Sequence, residues 1–175
     1  MNHNFLVELR SRGAPASIGQ KGEKLQFLIR HGYRVPRTYV CCYEAFVRFQ
    51  AGDPTILTEL RADVARVVDP ARHYAVRSSA SIEDRLDYSF AGQFKSRLDV
   101  QGVDAIVAAV EETWLSTQSA EVGSYLAHQG IERGGFDMAV IIQEMVSPWL
   151  SGVAFSKHPT TGLNEVLIEA VYGRG

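Results

Sequence analysis

The sequence predicts a mixed α+β domain with a largely antiparallel sheet, and three observations carry that prediction. Apolar residues at helical spacing alternate with short β-rich runs along the chain. The stretch from His73 to Val100 reads as strand, polar loop, small-residue turn and strand. Later, the apolar run Met138–Met145 precedes two further strand patterns joined by a turn.

Taken in order, Gly19-Gln20-Lys21-Gly22 punctuates the chain ahead of a helix in which Leu25, Leu28 and Ile29 recur, and Gly32 stops it. Val35-Pro36 forces extended backbone into the β-rich run Thr38–Cys42. A short helix follows, from about Glu44 to Phe49, with Phe46 and Phe49 turned inward. Asp53-Pro54 reads as a helix start, because the aspartate accepts first-turn amides and the proline needs no donor there. Leu57, Leu60, Val64 and Val67 carry that helix to Asp69-Pro70.

The strand His73–Val76 then runs into Arg77 and two hydroxyls. An acid-rich loop to Tyr88 and the turn Ser89-Phe90-Ala91-Gly92-Gln93 lead to a strand in which Phe94, Leu98 and Val100 share a face. Beyond Gly102, the residues Val103, Ile106, Val107, Val110 and Trp114 form one helical stripe. A second helix, about Ala120 to His128, ends at Gly130. The polar turn Glu132-Arg133-Gly134-Gly135 opens Met138–Met145, whose unbroken apolar character fits a strand buried on both faces, and Ser147-Pro148 closes it. Gly152–Ser156 and Val166–Val171 are two more strands, joined around Thr160-Thr161-Gly162.

At 175 residues and 46% hydrophobic, the chain can bury one core, or two small cores sharing an interface. We therefore expect residues 1–175 to form a single unit, with sub-lobes dividing near residue 72. A formal charge of −2 without like-charge runs argues against nucleic acid as a partner. Cys41 and Cys42 are adjacent, which points to reduced thiols and a cytoplasmic location. Met1–Ser17 lacks the pattern of a secretory signal, and no apolar run is long enough to span a membrane.

Chemically, a lysine between glycines fits two readings. One is a helix start with a solvated side chain; the other places the Lys21 ammonium against phosphate oxygens. Arg77 either pairs with Glu83 or Asp84, or offers its planar fork to phosphate, with Gly92 letting the backbone approach a ligand. Glu83, Asp84 and Asp87 could attract magnesium, or simply pair with Arg77 and Arg85. No His/Cys set has zinc spacing, and His31, His73, His128 and His158 read as ordinary histidines. Gln143-Glu144-Met145-Val146 is a core strand leading into a turn, or a hinge whose backbone and side chains hold an adenine.

Together these segments follow one order: GQKGEKLQFL, YRVPRTYVCCYEAFVRF, YAVRSSASIED, SFAGQF, VIIQEMV, SGVAFSKHPTTG and VLIEAVYGRG. Over essentially the whole chain that order resembles the N-terminal ATP-binding domain of the phosphoenolpyruvate synthase and pyruvate phosphate dikinase family. Rifampicin phosphotransferase and the glucan water dikinases share this domain. The resemblance implies the N-terminal portion of an ATP-grasp fold, with ATP and Mg2+ as cofactors. It implies transfer of the β-phosphoryl group of ATP to a histidine on a separate domain, and from there to pyruvate. By position, Lys21 and Arg77 would contact the phosphates, and Gly92 and Gln93 would lie in a phosphate-covering loop. Ser96 would lie near the nucleotide, Gln143, Glu144, Met145 and Val146 would form the adenine hinge, and Glu169 would be an acidic group beside the nucleotide.

The departures are specific. Gly19-Gln20-Lys21 stands where the family has Gly-Gly-Lys, and Arg85 adds a charge to the Glu83-Asp84 loop. Tyr172-Gly173-Arg174-Gly175 only begins a GLGE-like motif, beyond which the family keeps its magnesium ligands and its phosphohistidine and pyruvate-binding domains. The expectation is therefore an incomplete enzyme part, whose partners include those domains. A domain cut short there would also expose apolar sheet surface to a homo-oligomer. Two alternatives stay open: a truncated or stand-alone nucleotide-binding or interaction module without catalysis, and the corresponding part of a rifampicin or glucan phosphotransferase. A purely structural α+β domain would require the motif order to be accidental.

Overall fold

The computed structural model describes residues 4–10, 17–82, 94, 96–128 and 135–174. These form two compact units, the first ending at Met145 and the second beginning at Val146. Residue 72 falls inside the first unit, because the strand that follows it is hydrogen-bonded into the same sheet as the strands before it. The expected loop from Glu83 to Gln93 and the turn at 132–134 lie outside the described residues.

The first unit is built on five strands: β1 (Leu6–Glu8), β2 (Thr38–Cys41), β3 (His73–Ala80), β4 (Ser96–Gln101) and β5 (Met138–Glu144). Their order across the sheet is β1-β2-β5-β3-β4, and every neighbouring pair is antiparallel. Central β5 has the predicted double burial. Met138, Val140 and Ile142 enter one apolar cluster, while Ala139 and Ile141 enter the other. β1 is missing from the sequence reading, since three residues are too few to show a period.

One face of the sheet is covered by α2 (Tyr43–Gln50), α3 (Ile56–Val67), α4 (Val103–Ser116) and α5 (Ala120–His128). Phe46, Leu60, Val64, Ile106, Val110, Trp114, Val122 and Leu126 bury there against Tyr39, Tyr74, Val76 and Val140. Each such aliphatic side chain contributes roughly 1.5–3 kcal/mol relative to exposure. Among the described residues the other face carries one helix of this unit, α1 (Gly19–Arg30), where Ile18, Leu25 and Ile29 meet Val40, Ala139 and Ile141. No described helix is long and apolar enough to cross a membrane.

Four local expectations need correction. Gly19-Gln20-Lys21-Gly22 does not precede α1 but forms its first turn. The helix expected at Asp53-Pro54 starts at Ile56; Asp53 Oδ1 instead accepts the Thr55 N–H at 2.9 Å in a turn before it. Arg77 is not at a strand end, because β3 continues through Ser78 and Ser79 to Ala80. Leu98 does not share a buried face with Phe94 and Val100 and is 64% exposed. The cause is a bulge: Val76 pairs with Arg97 but Tyr74 pairs with Val100, so β4 carries one extra residue. Asp99 absorbs it with φ of 56°, turning Leu98 outward.

The second unit is a hairpin of β6 (Leu150–Phe155) and β7 (Leu167–Tyr172), paired from Leu150–Tyr172 to Phe155–Leu167. The strands approach closely at Gly152, where a Cβ would stand 2.4 Å from the Glu169 carbonyl oxygen. Trp149 and Tyr172 pair their rings at 6.5 Å, and the Gly173 N–H donates to the Trp149 carbonyl at 2.9 Å.

Candidate functional site

The site residues of the first unit gather where α1 meets β3. Helix α1 begins with Gly19 at φ of 72°, and a Cβ there would lie 2.0 Å from the Ser79 carbonyl oxygen. Only glycine lets the helix start that close to the strand. Three polar contacts then tie the first turn to Ser78 and Ser79 of the strand and to Ser81 just beyond it. Lys21 Nζ donates to the Ser78 carbonyl at 3.3 Å, the Gly22 N–H donates to Ser79 Oγ at 3.1 Å, and Gln20 Nε2 donates to the Ser81 carbonyl at 3.1 Å. Ser79 Oγ in turn donates to the Ile18 carbonyl at 2.9 Å. The first turn of α1 contains no acidic residue, so its positive end is not offset by a carboxylate of its own.

Alternation along the strands decides which side chains share this face. On β3, Arg77 lies two residues before Ser79, and in the ladders it stands opposite Ile141 of β5 and Ser96 of β4. Arg77 is half-buried and Ser96 exposed. Among the described residues, the Arg77 guanidinium has no hydrogen-bond or ion-pair partner; Glu83 and Asp84, its expected partners, lie outside them. Gln143, two residues beyond Ile141, lies on the same face. Its Nε2 donates to Thr38 Oγ1 at 2.9 Å, and that hydroxyl donates to the Pro36 carbonyl at 2.8 Å. Lys21, Arg77, Ser96 and Gln143 thus come together on the α1 side of one sheet.

The remaining predicted residues are elsewhere. Glu144 falls on the opposite side of β5, where its carboxylate accepts Arg72 Nη1 at 3.3 Å. Its N–H donates to the Arg37 carbonyl at 2.9 Å, and the Met145 N–H donates to the His73 carbonyl at 2.8 Å. Those two hinge amides are committed to the protein's own backbone. Val146 opens the second unit with an exposed side chain. Glu169 lies on β7 of that unit, opposite Val153 and between Leu167 and Val171 on its face, an acidic group in an apolar row. Gly92 and Gln93 lie outside the described residues.

Three contacts were not anticipated from sequence: Ser79 to the start of α1, Thr38 to Gln143, and Arg72 to Glu144. Each joins residues at least 57 positions apart, and no local pattern signals them. Among the described residues no three histidine, cysteine or acidic side chains converge. The cysteines offer no nucleophile. Burial raises the Cys41 thiol well above its usual range, and burial foremost pushes Cys42 up to about 11.

Comparison with known proteins finds relatives of this chain. The probable phosphoenolpyruvate synthase of Archaeoglobus fulgidus is 41% identical over 103 residues, covering 59% of this chain and 14% of the relative. The phosphoenolpyruvate synthase of Aeropyrum pernix is 42% identical over 102 residues, covering 58% of this chain and 12% of the relative. A Streptomyces rifampicin phosphotransferase is 31% identical over 216 residues, covering 100% of this chain and 25% of the relative. The chain therefore spans no more than a quarter of these relatives' lengths. The family model for the pyruvate phosphate dikinase AMP/ATP-binding domain matches residues 54–175, a stretch that includes Arg77, Ser96 and Gln143. With most of its length matched, the chain belongs to the pyruvate phosphate dikinase AMP/ATP-binding domain family.

Proposed function

We propose that this chain is the ATP-binding part of a phosphoenolpyruvate synthase-like phosphotransferase with an ATP-grasp fold. The overall reaction converts ATP, pyruvate and water to AMP, phosphoenolpyruvate and phosphate through a phosphorylated histidine carrier. The observation that carries this reading is the anchoring of Lys21 Nζ on the Ser78 carbonyl, one residue along β3 from Arg77, at an α1 start without acidic residues. An ammonium and a guanidinium beside a helix N-terminus suit a polyphosphate, whose transfer requires positioned positive charge more than covalent help.

In this reading Lys21 and Arg77 hold the phosphates and offset the charge that develops as the β-phosphoryl group moves. Ser96, opposite Arg77, offers a hydroxyl to the nucleotide, and Gly92 and Gln93 cover the phosphates. Gln143 to Val146 receive the adenine. Since the amides of Glu144 and Met145 are already used, the base would be met by the Val146 amide and by side chains. Glu169 serves as the acidic group near the nucleotide. Magnesium bound with ATP would neutralise phosphate charge.

A thermal-shift titration with ATP and magnesium tests the core of this reading. The chain should be stabilised saturably, following RT ln(1 + [L]/Kd). Lys21→Ala and Arg77→Ala should stay folded and lose most of that shift. A wild-type chain with no shift, or variants that shift as wild type does, would overturn the assignment of these two cations.

A second reading concerns the acceptor. The rifampicin phosphotransferase relative aligns with the entire chain, whereas the phosphoenolpyruvate synthases align with little more than half. That coverage keeps open the alternative of a rifampicin phosphotransferase-like part, with an acceptor other than pyruvate. AMP release by the complete polypeptide, assayed with and without pyruvate, separates the two: pyruvate dependence supports the first reading, and its absence supports the second.

A further inference from the structure

The contact between α1 and β3 has one fully buried polar centre, Ser79. Its hydroxyl accepts the Gly22 N–H at 3.1 Å and donates to the Ile18 carbonyl at 2.9 Å. Ile18 is the N-cap of α1 and supplies no side-chain acceptor, so an early amide of the helix is satisfied from the strand instead. Lys21 sits inside that turn, next to Gly22. Arg77 sits two residues before Ser79 on the same rigid strand and the same face.

We infer that Ser79 is the positioning residue that sets Lys21 relative to Arg77. The inference rests on the reading of those two side chains as phosphate contacts. A lysine ends a flexible four-carbon stem, and the first turn of a helix frays readily, so its ammonium is placed only as well as its backbone. The hydroxyl wedge, flanked by the Lys21–Ser78 and Gln20–Ser81 contacts, holds that backbone against β3. Because Ser79 has no exposed surface, it acts on a ligand only through its neighbours.

The test is calorimetric titration of ATP with magnesium into the wild-type chain, Ser79→Ala, Lys21→Ala and the double variant, with Ser79→Thr to retain the hydroxyl. Ser79→Ala should bind about tenfold more weakly, the scale set by losing a buried hydrogen-bonding centre. With Lys21 already removed, Ser79→Ala should cost no further affinity, and Ser79→Thr should recover part of the loss. Equal losses with and without Lys21 would show that Ser79 acts by another route, and the inference falls. A ligand-free arm keeps this separate from the nucleotide reading. In Ser79→Ala the Gly22 amide should exchange at least tenfold faster while β5 amides keep their protection. Unchanged Gly22 exchange sinks the inference whether or not ATP binds; a wild type that ignores ATP sinks the phosphate reading, and the exchange result still decides what Ser79 holds. Should Ser79→Ala fail to fold, Gln20→Ala loosens the same joint from its half-buried side and should show a smaller loss that likewise vanishes without Lys21.

Discussion

The two faces of the five-stranded sheet are built on different principles. One is packed by four helices through large apolar side chains, with Phe46, Leu60, Ile106 and Trp114 fully or almost fully enclosed. Among the described helices of the first unit only α1 covers the other, through glycines, a buried serine and apolar contacts of Ile18, Leu25 and Ile29, and that face holds Arg77, Ser96 and Gln143. In the proposed reading, this second face is where backbone and cations approach the ligand. Stability and the candidate chemistry are separable here, since β5 packs Met138, Val140 and Ile142 on one face and places Gln143 on the other, beyond the apolar Ala139 and Ile141.

The largest break in that comparison should come from the packed face. Trp114 is fully buried, with its ring centroid 5.0 Å from Phe49 and 6.4 Å from Phe46. Among the described residues its Nε1 has no hydrogen-bond partner, so the side chain serves as volume. Trp114→Ala should cost about 3–5 kcal/mol, read as a lower urea midpoint of the first unit. A loss under about 1 kcal/mol would mean that the packed face is not the stabilising one.

An intermediate effect should come from the second face. Gly19→Ala forces a Cβ to 2.0 Å from the Ser79 carbonyl oxygen at a backbone φ of 72°, which α1 can relieve only by lifting from β3. We expect a cost of about 1–3 kcal/mol from the overpacking and the left-handed backbone combined. Amide exchange should quicken in α1 and leave α3 and α4 unchanged. Equal loosening on both sides would show that the faces respond as one body.

The same contrast explains how much was legible beforehand. Residues of the packed face announce themselves by period, as Leu60 and Val64 do on α3 and Ile106, Val110 and Trp114 do on α4. The second face did not, because Gly19 and Gly22 look like a turn until Ser79, far along the chain, is seen to dock them. The bulge at Asp99 escaped for a related reason: an aspartate at positive φ carries no mark in a β-like run, yet it redirects Leu98. At the site, the motif resemblance singled out Arg77 and Ser96 separately, and only the β3–β4 register makes them neighbours. Strand alternation works the other way for Glu144, turning its carboxylate away from the face that holds Gln143.

The smallest expected effect uses acid to separate the faces. At the rim of the packed face, Arg48 of α2 bonds Asp53 Oδ2 at 2.7 Å and both oxygens of Glu59 on α3 at 2.8 and 2.9 Å. The Thr55 N–H foremost, then its hydroxyl and Arg48, lower the Asp53 carboxyl to about 2. Arg48 foremost, then Thr55, lowers Glu59 to about 2. The unfolded chain takes up protons on both groups near the usual carboxylate pKa of about 4, whereas the folded chain resists until about pH 2. The contribution is therefore complete above the unfolded values and lost as pH falls through that window. These groups are partly solvated, so the loss should be modest and smaller in high salt. The α1–β3 joint is held through Gln20, Lys21 and Ser79 side chains and includes no carboxylate among these contacts. Between pH 4.5 and 2.5, amides of α2 and α3 should lose protection faster than the Gly22 amide after correction for intrinsic exchange, and Arg48→Met should flatten that difference. Were Gly22 to lose protection in step with α3, the two faces would share one opening, and the separation of packing from chemistry would not hold.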